Sequence, residues 1–347
     1  MRLSLPFMKK KHRLGATIED TGIRLVEARK QGSRYVLEQT VFIPFPQGSV
    51  SGGKIINKEA VELAIALAKK DLNLKSRQVN LAVPSSFVVV RRHALPPLLA
   101  KDARALIEIE LDTTIHLPFT RPYFDIHKLE TGAAMTPAQA PTTEGEAEAA
   151  ATSQDEYLIV AAPGDVIDQY VELLRLLDLK VVAADIEPLA LYRLLDLTDK
   201  PMAQDIMFVQ LEPGFANVSM FSRDTPEFLR NIPLDLNTYA PDISSSADLY
   251  EALDDEYVFQ AFTADLVREL ERVINFYQFT YKNDGTRIKA IYLTGDFPFL
   301  DNILQHLRER INNAELMLFP TQSLRHAYLE STDLQAYTVA AGLSLRG

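Results

Sequence analysis

The chain has 347 residues, 47% of them hydrophobic and 24% charged, with 36 basic against 47 acidic residues and a formal net charge of −11. That length and apolar share predict more than one layer and a prior of two domains, while the acidic balance argues against nucleic acid as a partner. Cysteine is absent, which excludes disulfides and thiolate metal sites.

The six histidines, His12, His93, His116, His127, His306 and His326, show no metal-ligand spacing, so no metal is expected. No stretch approaches the roughly 18 apolar residues that span a bilayer. The opening MRLSLPFMKKKHR lacks the apolar run and cleavage site of a signal peptide. It reads as a solvated terminus, or as a weak contact to an anionic membrane surface through Lys9, Lys10, Lys11 and Arg13.

Residues 14–45 alternate polar and apolar in three bursts, GATIE, GIRLVEAR and YVLEQTVFIP, which predicts an antiparallel meander. The first turn carries Glu19 and Asp20 side by side, ahead of Gly22. NKEAVELAIALAKKDLNL places Val61, Leu63, Ala64, Leu67 and Ala68 at helical spacing behind Asn57 as N-cap. QVNLAVP reads as a buried strand, and SSFVVVRRHALPP as another, stopped by Pro96 and Pro97. Lys101 to Ile115 is helical and PYFDIHKLE a strand. Residues 131–156 hold no aromatic and no branched aliphatic side chain. Such a segment cannot offset its ordering entropy, so we expect a disordered loop of one large hairpin, with YLIVAAP as the return strand.

GDVIDQYVELLRLLDL, KVVAADIEP and EPLALYRLL then alternate helix, strand, helix. Residues 206–233 repeat the opening meander, and Thr17-Ile18-Glu19 superimposes on Gln210-Leu211-Glu212. Such a repeat predicts a duplicated α/β domain. A polar acidic stretch, TYAPDISSSADLYEALDDE, precedes a long helix, AFTADLVRELERVINFYQFTYKN. Its apolar stripe, Leu266, Leu270, Val273, Ile274 and Tyr277, reads as core. IKAIYLTGDFPFLDNILQHLRERI gives strand, glycine turn and helix, and DLQAYTVAAGLSL closes the chain as a helix.

Two meander-led halves, the GDFPFL turn and the closing AYTVAAGLSL together resemble the actin-like fold, and within it the type IV pilus assembly PilM family. The resemblance is carried by Arg91 or Arg92 to Pro96, Glu108 and Glu110, Leu117-Pro118-Phe119, Phe124-Asp125, and by Asp185, Pro188 and Ala190 in ADIEPLALYRL. It runs from Leu14 to the C-terminus. It implies an α/β, ribonuclease H-like duplicated two-domain fold with a small inserted subdomain in each half. The first domain is then 14–200 with an insert about 84–163, and the second 201–347 with a small subdomain about 235–285. Family members bind the cytoplasmic N-terminal tail of the inner-membrane protein PilN, in a cleft between the first core subdomain and the insert. They also bind ATP and magnesium between the halves.

In the family each phosphate hairpin reads acidic-Ile-Gly. Here the acidic position is Thr17 in one hairpin and Gln210 in the other, and the glycine position is Glu19 and Glu212. The adenosine-side loop, glycine-rich in the family, is reduced to Gly295-Asp296-Phe297-Pro298. Glycine permits close approach of phosphate to backbone amides, and an acidic residue holds the metal; a carboxylate in that place repels a triphosphate. The expectation is a scaffold without nucleotide or other cofactor and not an enzyme, with Glu19 and Glu212 capping or bridging the cleft. The bland reading of Glu19, Asp20 and Glu212 is ordinary turn residues. An acid–base pair is disfavoured, because neither turn holds a His, Lys or Ser partner.

For the partner tail we single out Val88, Val90, Leu95 and Phe119 as an apolar floor and Arg91 and Arg92 as directing charges. The alternatives are subdomain core for the apolar residues and edge-protecting charges for the arginines. The resemblance therefore implies a cytoplasmic adaptor at the inner face of the cell membrane, for a PilN-like tail and other pilus assembly platform proteins. The competing readings are a working actin-like ATPase with ATP and magnesium, and a filament-forming adaptor of the FtsA kind.

Overall fold

The computed structural model describes residues 13–31, 34–129, 154–197, 202–239, 246–322, 324–326, 329 and 333–346. Most of the loop expected at 131–156, and the basic terminus before Arg13, lie outside the described residues; Asp155 and Glu156 belong to a strand.

Three strands open the chain, β1 (Leu14–Glu19), β2 (Gly22–Gln31) and β3 (Arg34–Pro44), paired antiparallel in sequence order. A ribbon of β4 (Val50–Ser51) and β5 (Lys54–Ile55) leads to α1 (Lys58–Lys69). Asn57 caps α1 by accepting from the Ala60 amide at 3.1 Å, as its position before an amphipathic run predicts. β6 (Gln78–Val83), β7 (Val89–Leu95), α2 (Ala100–Thr113), β8 (Pro122–Lys128), β9 (Asp155–Pro163), α3 (Gly164–Leu176), β10 (Lys180–Ile186) and α4 (Glu187–Asp196) follow. The second meander is β11 (Asp205–Glu212), β12 (Phe215–Ser222) and β13 (Thr225–Pro233). Then come α5 (Ser246–Asp254), α6 (Glu256–Asn275), β14 (Ala290–Gly295), α7 (Leu300–Arg310), β15 (Glu315–Leu318), β16 (Leu324–Arg325) and α8 (Thr338–Ser344).

Two compact units emerge, Val88–Asp165 and the chain on either side of it. In the larger unit the two main sheets have the orders β10-β6-β1-β2-β3-β16 and β13-β12-β11-β14-β15. Each contains an antiparallel meander whose first strand is extended by two parallel strands, so the second sheet repeats the first. The parallel strands come from crossovers through helices, the connection such pairs require. One core fills the first half around Leu25, Val61, Leu81 and Leu174, and another the second half around Val218, Leu266 and Ile303. A third is shared, with Val26 and Ala82 from one sheet, Phe208 and Tyr292 from the other, and α4 and α8 between them.

The smaller unit is a sheet of order β7-β9-β8. β8 and β9 form the hairpin that the sequence suggests. Ala103, Ile107 and Leu111 of α2 pack on Leu95, Tyr157 and Ile159.

Two readings need correction. The acidic stretch before the long helix is itself partly helical, as α5, and α6 begins at Glu256 rather than near Ala261. Asp255 accepts from the amides of Tyr257 and Val258, at 2.9 and 3.0 Å; it is an N-cap hidden in a run of acidic residues. The helix then widens into a π-helical turn, Phe276–Lys282, ended by Asn283 in the left-handed region (φ 48°).

Candidate functional site

The two-residue turn Asp20-Thr21 sets the register of the first hairpin, with Glu19 opposite Gly22 and Thr17 opposite Arg24. Alternation then puts Thr17, Glu19 and Arg24 on one face of the sheet. In the second hairpin Gln210 and Glu212 share a face in the same way, and Leu211 lies beside Gly295 of β14. All five side chains are buried.

The tip of the first hairpin meets the loop leaving β14 at Arg24. Its Nη1 donates to Glu19, and its Nη2 donates across the crevice to Asp296. Nη1 also lies 3.4 Å from the Thr21 hydroxyl. The Phe42 and Tyr337 ring centres are 4.6 and 5.7 Å from the guanidinium carbon, a cation–π setting. Glu212 accepts through Oε1 from Gln210 Nε2 at 3.2 Å and from the Asp296 amide at 3.4 Å. Its buried Oε2 has no hydrogen-bond partner among the described residues.

Burial raises the pKa of Glu19, opposed by Arg24 and reinforced by Asp296. It raises that of Glu212 further, with Glu19 and Asp296 adding to the effect. Arg24 is held firmly charged: Glu19, Asp296 and Glu212 outweigh the burial that would deprotonate it. The loop leaving β14 needs its glycine, because Gly295 has φ +119° and a Cβ there would lie 2.0 Å from the Leu211 carbonyl oxygen. Beside this loop opens a pocket of about 430 Å³, whose walls include Phe42, Tyr250, Phe299 and Tyr337 above Arg24 and Asp296.

The two neighbouring acids of the first turn have separate partners. Glu19 faces Arg24, whereas Asp20 accepts from the amides of Gly52 and Gly53, each at 2.8 Å. Tyr170 secures that ribbon through a 2.5 Å bond to the Gly53 carbonyl. A second buried carboxylate joins the halves: Glu187, first residue of α4, accepts from the Ser85 amide and hydroxyl at 2.9 and 2.7 Å and from Asn217 at 3.4 Å. Burial pushes its pKa up to about 7 against the Ser85 hydrogen bonds.

The sequence-predicted cleft residues therefore come together, with Thr17, Glu19, Gln210, Glu212, Gly295 and Asp296 around one crevice. Arg24 and Glu187 escape a reading of motifs. The signal for Arg24 was present: a cation at an inward position in the apolar first half of a strand, across from Thr17. Glu187 lay between two residues singled out, Asp185 and Pro188.

These residues do not fit ATP with magnesium. Buried carboxylates stand at both hairpin tips, and the basic group between them is already engaged by Glu19 and Asp296. Among the described residues no group of three or more His, Asp or Glu side chains is arranged to hold a metal.

In the smaller unit the residues singled out for a partner tail separate. Leu95 is 2% exposed inside the α2 core. Val88 is buried, Val90 and Phe119 are half-buried, and Arg91 and Arg92 are exposed. Arg91 lies opposite Ile159, a residue of that core, and Arg92 opposite Leu158, so the two arginines leave opposite faces of the sheet. Arg92 reaches Glu156 at 3.3 Å. His93 bonds Glu110 of α2.

A family model described as type IV pilus assembly protein PilM matches residues 15–234, well over half of the chain. Among solved structures, a PilM-PilN type IV pilus biogenesis complex is similar over 97% of this chain and 99% of that chain, at 21% identity and a TM-score of 0.72. The ethanolamine utilization protein EutJ from Carboxydothermus hydrogenoformans aligns over 98% of this chain and 91% of that chain, at 11% identity and a TM-score of 0.49. The first likeness bears out the actin-like α/β fold.

Proposed function

The chain belongs to the PilM family of type IV pilus assembly proteins, and on that premise we propose that it is a non-enzymatic adaptor, capturing the cytoplasmic tail of a PilN-like inner-membrane protein without nucleotide. The partner is suggested by the similar solved complex, which pairs PilM with PilN. The absence of nucleotide rests on one observation, the Arg24 guanidinium bonded to Glu19 of the first hairpin and to Asp296 of the loop leaving β14. A triphosphate entering there would face the carboxyl groups of Glu19, Glu212 and Asp296 together, and would have to displace the bonds that already engage Arg24.

Among the described residues no helix is long and apolar enough to cross a membrane. In this reading the partner supplies the membrane attachment, and the adaptor works at the inner face of the membrane. The tail contacts Val90 and Arg92, an apolar side chain with one directing charge.

Isothermal titration tests both parts on the intact chain. ATP with magnesium is expected to give no binding heat, and a synthetic PilN-like N-terminal peptide a saturable one. Micromolar ATP binding would overturn the nucleotide-free reading, and a silent peptide titration the choice of partner.

A further inference from the structure

Besides the Glu187 carboxylate and the β16–β3 pairing, two contrasting joints hold the halves of the larger unit. Where α4 and α8 pack, the joint is apolar and shared by both sheets. Between the first hairpin and the loop leaving β14 it is ionic and depends on Arg24. Glu19 belongs to the first half and Asp296 to the second, and one guanidinium donates to both. Phe42 from β3 and Tyr337 from just ahead of α8 bring a further segment of each half to the same cation.

We propose that Arg24 is an internal latch, a built-in cation that holds the first hairpin of one half to the loop leaving β14 of the other in the absence of any ligand. The inference deepens the nucleotide-free reading and rests on it. Three carboxylates, Glu19, Glu212 and Asp296, surround this single guanidinium. Two of them are nine-tenths buried or more, so without the cation they would confront one another in a low dielectric, and separation of the halves would relieve them. With the cation, each half keeps its own acid only by sharing the donor with the other, and breaking a buried pair strands an uncompensated charge. Asp296 is anchored in turn, because its amide donates to Glu212. Arg24 and Asp296 also line the pocket beside the loop.

Hydrogen exchange of the full chain, read by mass spectrometry without nucleotide, tests this with Arg24→Gln and Asp296→Asn. Each variant is expected to speed exchange by about tenfold or more, the size of a lost charged hydrogen bond, at residues 19–24 and at 295–300 together. That is, each substitution loosens the half that does not carry it, while β6 and α3 exchange as before. The double variant should add nothing beyond the single ones. An effect confined to the mutated half, or additive effects, would overturn the latch. Should Arg24→Gln fail to fold, Asp296→Asn alone makes the same distinction, since it keeps the cation and removes only the crossing charge. Titration of the unmodified chain with ATP is scored separately: binding there sinks the nucleotide-free reading, whereas a silent titration with unlinked exchange sinks only the latch.

Discussion

Glu187 begins α4 with its carboxylate held by Ser85 on one side and Asn217 on the other, and its pKa is pushed up to about 7 by burial from an ordinary 4.5. A carboxyl whose folded pKa lies above its unfolded value favours the folded state when protonated. Its contribution is complete below pH 4.5 and is lost as the pH rises to about 7. A shift of that size corresponds to about 3 kcal/mol across the window. Glu187→Gln, which resembles the protonated form, removes this dependence. Urea unfolding of both proteins at pH 4.5 and pH 8 should show the variant gaining on the parent by about that amount at the higher pH. Parallel stabilities at the two pH values would contradict it. Composition and spacing name Glu19 and Glu212 but not Glu187 or Asp20's tie to Gly52 and Gly53. A buried carboxylate is recognised by what surrounds it, and those neighbours lie 30 or more positions away in the chain.

At the scale of elements, a strand converts neighbours in sequence into opposites in space. Arg91 and Arg92 read as one basic cluster until pairing with β9 sends them to the two faces of a three-stranded sheet. The faces differ, since α2 packs on the one that carries Leu95 and Ile159. If the tail lies along Val90 and Arg92, Arg92→Glu should lower its capture by about tenfold, while Arg91→Glu leaves it nearly unchanged. Both arginines are exposed, so neither substitution should shift the melting temperature by much. Equal losses from the two variants would place the tail elsewhere. Long periodic elements were the most legible: the meanders, α1, α3 and α7 follow from alternation and helical spacing. The two-residue β16 and the start of α6 were not, because tertiary pairing defines the former and a single cap the latter.

The duplication is what the whole molecule adds to its parts. Each half presents a sheet of the same order, save that β16 extends the first, and each supplies one helix to the joint, α4 from the first and α8 from the second, with side chains of both sheets closing on them. The helices approach so closely that a Cβ on Gly342 would lie 2.1 Å from the Ala190 carbonyl oxygen. The repeat of the meander was readable from 206–233, but this contact was not, since the sequence AAGLSL gives no sign of which backbone Gly342 meets. Gly342→Ala sets two effects against each other. Alanine favours the helix by up to about 1 kcal/mol. Forcing a methyl against a backbone carbonyl in a packed joint costs about 1–3 kcal/mol, and here the obstacle is backbone of α4, which cannot rotate aside. The steric cost wins, so the urea midpoint should fall by an amount equivalent to about 1–2 kcal/mol. Because the joint belongs to both halves, amides in β6 of the first sheet and β14 of the second should lose protection together in this variant. A raised midpoint, or loosening confined to one sheet, would mean that the halves are stabilised independently and that the shared core contributes little to their union.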